Sequence, residues 1–195
     1  MPAKASQSRS NGGAIRIIGG EFRGRSLPVV DSPGLRPTSD RVRETLFNWL
    51  QFHLNGARVL DLFAGTGVLG LEALSRGAAS AVFCETEAQL ARQLRERVAL
   101  LKVQDRATVV QDDARLQLQA MQREGQSFDV LFVDPPFAEH LHASVLPLLD
   151  AVATKSAFLY LESPVNERLV VPSEWELHRE GATREVRYAL YRKAT

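Results

Sequence analysis

From residue 57 to residue 163 the chain alternates short apolar runs with longer segments of helical period, and few folds accommodate that alternation. The apolar runs are ARVLDLF from Ala57, SAVFCE from Ser80, ATVVQ from Ala107, FDVLFVD from Phe128 and SAFLYLES from Ser156. Between them lie GVLGLEALSRGA, TEAQLARQLRERVALL, DARLQLQAMQRE and HASVLPLLDAVA, the last with Pro147 as a break or kink. Strands that are apolar along their whole length are buried on both faces, so they belong to a parallel sheet covered by helices on each side. The handedness of such crossovers makes it a doubly wound α/β sandwich. The tail EWELHREGATREVRYALYRK has two β-like runs about GATR, a closing antiparallel hairpin that brings the mostly parallel sheet to seven strands.

Upstream of the alternation, residues 14–30 cluster β-formers around Gly19-Gly20 and Gly24 and predict a small hairpin. DSPGLRPTSD reads as a loop. A helix follows, capped by Thr38 or Ser39, with Val42, Leu46, Trp49 and Leu50 as its apolar stripe and Asn55-Gly56 beyond its end. At 195 residues the chain is one domain with a small appendage. Residues 1–13 are small, polar and basic and read as a disordered tail.

In doubly wound sheets, ligands bind outside the carboxyl ends of the strands. Four consecutive strand ends here carry acids: Asp61, Glu85, Asp112-Asp113 and Asp134. After the first strand, Gly65, Gly67 and Gly70 have the spacing of a dinucleotide loop. Asp61 stands just before that loop, however, and would repel a pyrophosphate while attracting an amine or a sulfonium. Glu85 occupies the position of the acid that binds a ribose diol, a reading preferred to that of an acid favouring the start of the next helix. Asp112 or Asp113 caps the third helix, and the other, by preference Asp113, accepts from an adenine amino group beside Ala114. An adenine, a ribose and a cationic amino acid end together describe S-adenosylmethionine, with S-adenosylhomocysteine as its product. No spacing of His and Cys predicts a metal site.

The fourth strand ends in Asp134-Pro135-Pro136-Phe137. Two prolines keep the chain extended and stiff at that point. Asp134 offers carboxylate acceptors to an exocyclic amino group, and a carbonyl of the proline pair offers another. Phe137 can stack on a flipped-out base. His140 and His142 belong to the loop and helix start that follow, and Cys84 lies on a buried strand as packing.

Charge adds a partner. Up to position 43 the chain carries eight basic residues against three acidic ones, whereas the whole chain has a net charge of only +1. A basic arm on a mildly acidic body suits nucleic acid. Arg16, Arg23, Arg25, Arg36, Arg41 and Arg43 are the candidate phosphate contacts. Arg43 has an alternative as a local ion pair with Asp40 or Glu44. The lone cysteine fits a reducing compartment, and no run approaches the ~18 apolar residues of a membrane helix, so the expected location is the cytoplasm.

DLFAGTGVLGLEAL, the acidic end of the second strand and DPPF resemble class I S-adenosylmethionine-dependent methyltransferases acting on amino nitrogens. With RIIGGEFRGRSL and RPTSDRVRETLFNWL added, the chain resembles the RsmD family of bacterial 16S ribosomal RNA (guanine-N2)-methyltransferases from about Ile15 to its end. That resemblance implies a Rossmann-like methyltransferase domain over 38–195 and an RNA-binding hairpin and loop over 14–37. It implies cofactor contacts at Asp61, Phe63, Gly65, Gly67, Glu85, Asp113, Ala114 and Asp134, and from the LFNW helix at Phe47 and Asn48. Asp134 to Phe137 become the catalytic tetrapeptide. The implied partner is 16S ribosomal RNA within the small subunit or an assembly intermediate, met by a monomer. Adenine-N6 methylation and a non-catalytic assembly factor are the alternatives.

Overall fold

The structure, a computed structural model, describes residues 13–29 and 39–194. The predicted tail, Arg36 and most of the loop that carries it lie outside these residues. Two strands, β1 (Ala14–Arg16) and β2 (Ser26–Pro28), form the antiparallel hairpin expected upstream. Helix α1 (Asp40–Trp49) begins where Ser39 Oγ accepts from the backbone N–H of Val42 at 3.3 Å.

The main sheet contains β3 (Arg58–Asp61), β4 (Ser80–Cys84), β5 (Ala107–Val110), β6 (Phe128–Val133), β7 (Ala153–Pro164), β8 (Trp175–Ala182) and β9 (Val186–Lys193). Its order is β5-β4-β3-β6-β7-β9-β8. All pairings from β5 across to β7 are parallel, and β9 runs antiparallel to both of its neighbours. The winding direction reverses between β3 and β6, which opens a crevice at their carboxyl ends. The fold is the predicted seven-stranded α/β sandwich.

Alternation along each strand separates two cores. On one face, Val59, Phe83, Val130, Phe132, Phe158 and Tyr160 meet the hairpin, α1, α2 (Val68–Ser75) and α3 (Ala88–Leu101). On the other, Leu60, Leu131, Val133, Leu159 and Leu161 meet α4 (Ala114–Arg123) and α5 (His142–Val145). The predicted helix over 142–153 breaks up after α5 into single 3₁₀ turns at Leu146–Leu148 and Asp150–Val152. Pro147 has no N–H with which to continue the ladder.

The hairpin is docked rather than appended. Residues of the segment after β1 lie along α2: Ile18 N–H and Gly19 N–H each donate to the Glu72 carboxylate at 2.8 Å. Phe22 N–H donates to Ser75 Oγ at 2.9 Å, and that hydroxyl donates to the Gly19 carbonyl at 2.6 Å. Glu72 is fully buried, and Arg76 Nε reaches it at 2.8 Å.

Candidate active site at the strand ends

The loop after β3 is built by backbone constraints. Gly67 N–H donates to the Ala64 carbonyl at 2.6 Å, and Ala64 N–H donates to the Cys84 carbonyl at 2.8 Å. Gly67, at φ 75°, is the left-handed residue from which α2 starts. A Cβ on Gly67 would lie 2.2 Å from Leu94, and one on Gly70 would lie 2.3 Å from Phe83. A side chain at Gly67, which ends the loop, or at Gly70, in the first turn of α2, would therefore force Leu94 or Phe83 to move.

Asp61 is buried beneath this loop and accepts from Gly70 N–H at 3.1 Å. Burial pushes its carboxyl from 3.8 up to about 7; the Gly70 bond opposes the shift and the charge of Glu85 adds to it. Glu85, at the end of β4, accepts from Gly65 N–H at 2.7 Å and from Glu87 N–H at 2.9 Å. It fastens the glycine loop to the neighbouring strand. Glu87 is exposed at the position preceding α3. Cys84 is buried between these acids, and burial, with Asp61 next, pushes its thiol up to about 12.

Asp113 caps α4 with Oδ1, accepting from Arg115 N–H at 2.9 Å and Leu116 N–H at 3.3 Å. The Arg115 guanidinium bonds the same carboxylate and holds it below the usual range. Asp112 accepts from Asp113 N–H at 2.8 Å and from the Gln117 amide at 2.8 Å. Both aspartates thus bind the start of α4. Ala114 is buried there, and Phe63 packs half-buried against the same core.

Asp134 stands half-buried at the end of β6, Pro135 is buried, Pro136 is exposed, and half-buried Phe137 opens a single 3₁₀ turn. The register Val133↔Leu161 places Glu162, on β7, beside Asp134. Tyr160 O–H donates to Glu162 Oε1 at 2.7 Å, and both side chains are buried. Burial, then the charge of Glu162, drives the Tyr160 hydroxyl well above its ordinary pKa; Asp134 contributes further. His142 is buried, with Nε2 2.7 Å from the Glu162 carbonyl, so Nε2–H is the donor. Burial lowers its pKa.

Phe47 is fully buried, edge-on to Phe132 at 6.0 Å, with the Arg76 guanidinium 5.0 Å over its ring. It supports the crevice floor from below, and Asn48 beside it is exposed. Among the candidate phosphate contacts, Arg16, Arg23, Arg25 and Arg41 are exposed. Arg43 is not available to a phosphate. It is 1% exposed, and its guanidinium bonds Asp40 and the Arg16 carbonyl and lies 3.7 Å from Glu72. A guanidinium on the inner face of an amphipathic helix is held by interior acceptors, so Arg43 is a structural ion pair that includes its alternative partner Asp40.

With this geometry in view, three comparisons bear on the chain. Residues 15–192 match the family described as Conserved hypothetical protein 95. The ribosomal RNA small subunit methyltransferase D of Escherichia coli K12 is 47% identical over 95% of this chain and 93% of its own length. That of Haemophilus influenzae is 40% identical over 96% of this chain and 98% of its own. The chain belongs to the ribosomal RNA small subunit methyltransferase D family. A solved Escherichia coli structure, yhhF, described as a candidate methyltransferase, superposes with a TM-score of 0.84 at 47% identity, covering 93% of this chain and 98% of its own.

The family match runs from residue 15, where the resemblance to the RsmD family also begins. Three residues at or beneath the site had not been singled out. Glu162 ends the run FLYLE and is a fifth acid on the rim, visible by the same rule that found the other four. Glu72 carries no such signal, because an acid in a short helix ordinarily faces solvent. Arg97 is 3% exposed and donates to Thr66 O at 3.2 Å in the glycine loop and to Pro28 O at 3.1 Å in β2. Only the folded chain brings those two carbonyls together.

Proposed function

We propose that the protein transfers a methyl group from S-adenosylmethionine to the exocyclic N2 amino group of a guanine in 16S ribosomal RNA. One observation carries the reading: Asp61, Glu85, the Asp112-Asp113 pair and the Asp-Pro-Pro-Phe end of β6 share a single rim at the reversal of the sheet, in a chain of this family. The residues fit the cofactor. Asp61 is a buried acid under the glycine loop and suits a cationic amino acid end, where a pyrophosphate would be repelled. Glu85 already accepts two backbone N–H groups, and carboxylate oxygens retain lone pairs for a ribose diol. Asp113 Oδ2 takes the adenine amino group in the same way, beside Ala114. Gly65, Gly67 and Phe63 border the same space, exposed Asn48 lies on the α1 side, and Phe47 is packed beneath, against Phe132.

The bound cofactor supplies a methyl group already activated on a sulfonium. The chain has to place a weakly nucleophilic amino nitrogen in line with it and accept hydrogen bonds as that nitrogen becomes cationic. Asp134 does so with its carboxylate, and the rigid Pro135-Pro136 unit adds a carbonyl. Phe137 stacks on the flipped-out base, an interaction worth roughly 1–3 kcal/mol. Guanine presents donors at both N1 and N2, and the adjacent acids Asp134 and Glu162 give an acceptor-rich rim. The exposed arginines Arg16, Arg23, Arg25 and Arg41 position the RNA through phosphates, together with Arg36. The working form is a monomer acting in the cytoplasm on the small subunit or an assembly intermediate.

The test is mass mapping of the label after incubating the protein, methyl-labelled cofactor and small-subunit particles from cells lacking this protein. Labelled N2-methylguanine is expected, and Asp134→Ala abolishes it while cofactor affinity stays within about threefold, because Asp61 and Glu85 hold the cofactor. Label found only in adenine, or none with the wild-type protein, refutes the proposal.

A further inference from the structure

A second basic surface lies on the same face of the sheet as α1, at the edge formed by β8 and β9. Phe158 of β7 is flanked by two histidine rings, His53 at 4.4 Å and His178 at 5.6 Å between centroids. Arg192 pairs with Phe158 across β7 and β9, and Arg179 lies level with Tyr160 and Leu190, so both arginines share this face. The strand register explains the crowding. Pairing slips between Leu177 and Arg179, leaving His178 as an extra residue. Such a bulge re-aims a side chain, and here two successive basic residues reach one face where a regular strand would present one. His178 is lowered from its usual pKa by burial, then by Arg179, His53 and Arg192, which places all four groups within electrostatic reach.

All four side chains are exposed, and Phe52, next to His53, is 85% exposed. Glu176, opposite Arg192, is the acid in this row. Above it, Trp49 stacks on Tyr188 at 5.6 Å, and Tyr188 is paired with Glu162 beside Asp134. Phe158 precedes Glu162 by four residues on β7, which is ~13 Å along a strand. A stripe of rings and cations therefore runs from the catalytic rim to the sheet edge, while the N-terminal hairpin docks on α2 and α3. Exposed guanidiniums and imidazoles beside the open ring of Phe52 are what a nucleic-acid strand binds.

We infer that Arg179, Arg192, His53, His178 and Phe52 form a second RNA contact, separate from the hairpin, that holds the segment flanking the methylated nucleotide. This rests on the RNA-methyltransferase reading above. The experiment compares wild-type protein with the exposed double variant R179Q/R192Q, measuring methyl transfer to small-subunit particles across a salt series. The double variant raises KM for the particle about tenfold with kcat and cofactor affinity within twofold, and lowers the slope of log affinity against log salt by ~1.4 to 1.8, for two lost phosphate contacts. Deuterium exchange on the unaltered protein gives a second readout, with 16S RNA slowing exchange over 51–54 and 176–179. Unchanged KM and salt slope, with active wild-type protein, overturn the inference. So does protection by RNA-free small-subunit proteins and none by RNA. Wild-type protein that methylates no ribosomal RNA refutes the earlier reading instead.

Discussion

Replacing Asp61 by Asn separates what this residue costs the fold from what it gives the site. Folding raises its carboxyl from 3.8 to about 7, chiefly by burial. Below pH ~4 the group is protonated in both folded and unfolded chains and costs nothing. Between about 4 and 7 the folded chain keeps a proton that the unfolded chain has released, so stability falls as pH rises through that window. Above pH ~7 the loss is complete, on the order of 4 kcal/mol. Asn is neutral at every pH and its carbonyl can still accept from Gly70 N–H. The D61N protein is therefore more stable than wild type by under about 2 kcal/mol at pH 5 and by about 4 kcal/mol at pH 8. Urea unfolding of both proteins at several pH values measures the difference. Calorimetry on the same samples shows cofactor binding weakened at least about tenfold in D61N, since a charge-assisted bond to a cationic group is lost. A stability difference that stays constant between pH 5 and 8, or a D61N protein that is less stable at pH 8, would refute the reasoning.

Three further outcomes follow from contacts described above. Glu72→Ala removes the acceptor of Ile18 N–H, Gly19 N–H and Arg76, costs about 3–5 kcal/mol and lowers Tm by ~6–20 °C, with faster deuterium uptake over 14–29. Undisturbed uptake there would show that the hairpin is held by other means. Gly70→Ala sets a methyl 2.3 Å from the Phe83 ring and costs about 1–3 kcal/mol in chemical denaturation. Tyr160→Phe removes one donor to Glu162 Oε1 and costs about 1–3 kcal/mol, with no effect on cofactor affinity by calorimetry.

How much was legible depended on whether a signal was local. Each buried strand declared itself as an apolar run, and each run ended in a polar residue, so Asp61, Glu85 and Asp134 could be placed on one rim without coordinates. Ser39 and the glycines of the first loop were readable for the same reason, because caps and turns are made by neighbours in sequence. For Arg43 the sequence leaves two readings open, a phosphate contact or an ion pair with Asp40 three residues earlier, because a basic stretch looks alike whether the helix face is wet or dry, and the fold selects the ion pair. Its interior position follows from Glu72, 29 positions on. Phe47 was assigned to the cofactor on resemblance, and its exposure depends on how Arg76 and Phe132 enclose it. The fragmentation after α5 was foreshadowed by Pro147, but its extent depends on packing beneath α4.

The bonds from Ile18 and Gly19 to Glu72 join residues 54 and 53 positions apart. A chain made from its amino terminus therefore emits the hairpin well before the helix that anchors it. At translation speeds of about 5–20 residues per second, the first folded-looking segment waits ~3–10 s for its acceptor. During that interval its apolar side chains, Ile15, Ile17, Phe22 and Leu27, have no core to enter. The hairpin is thus synthesised well before it can be secured, and its docking reports that α2 has followed it out and formed.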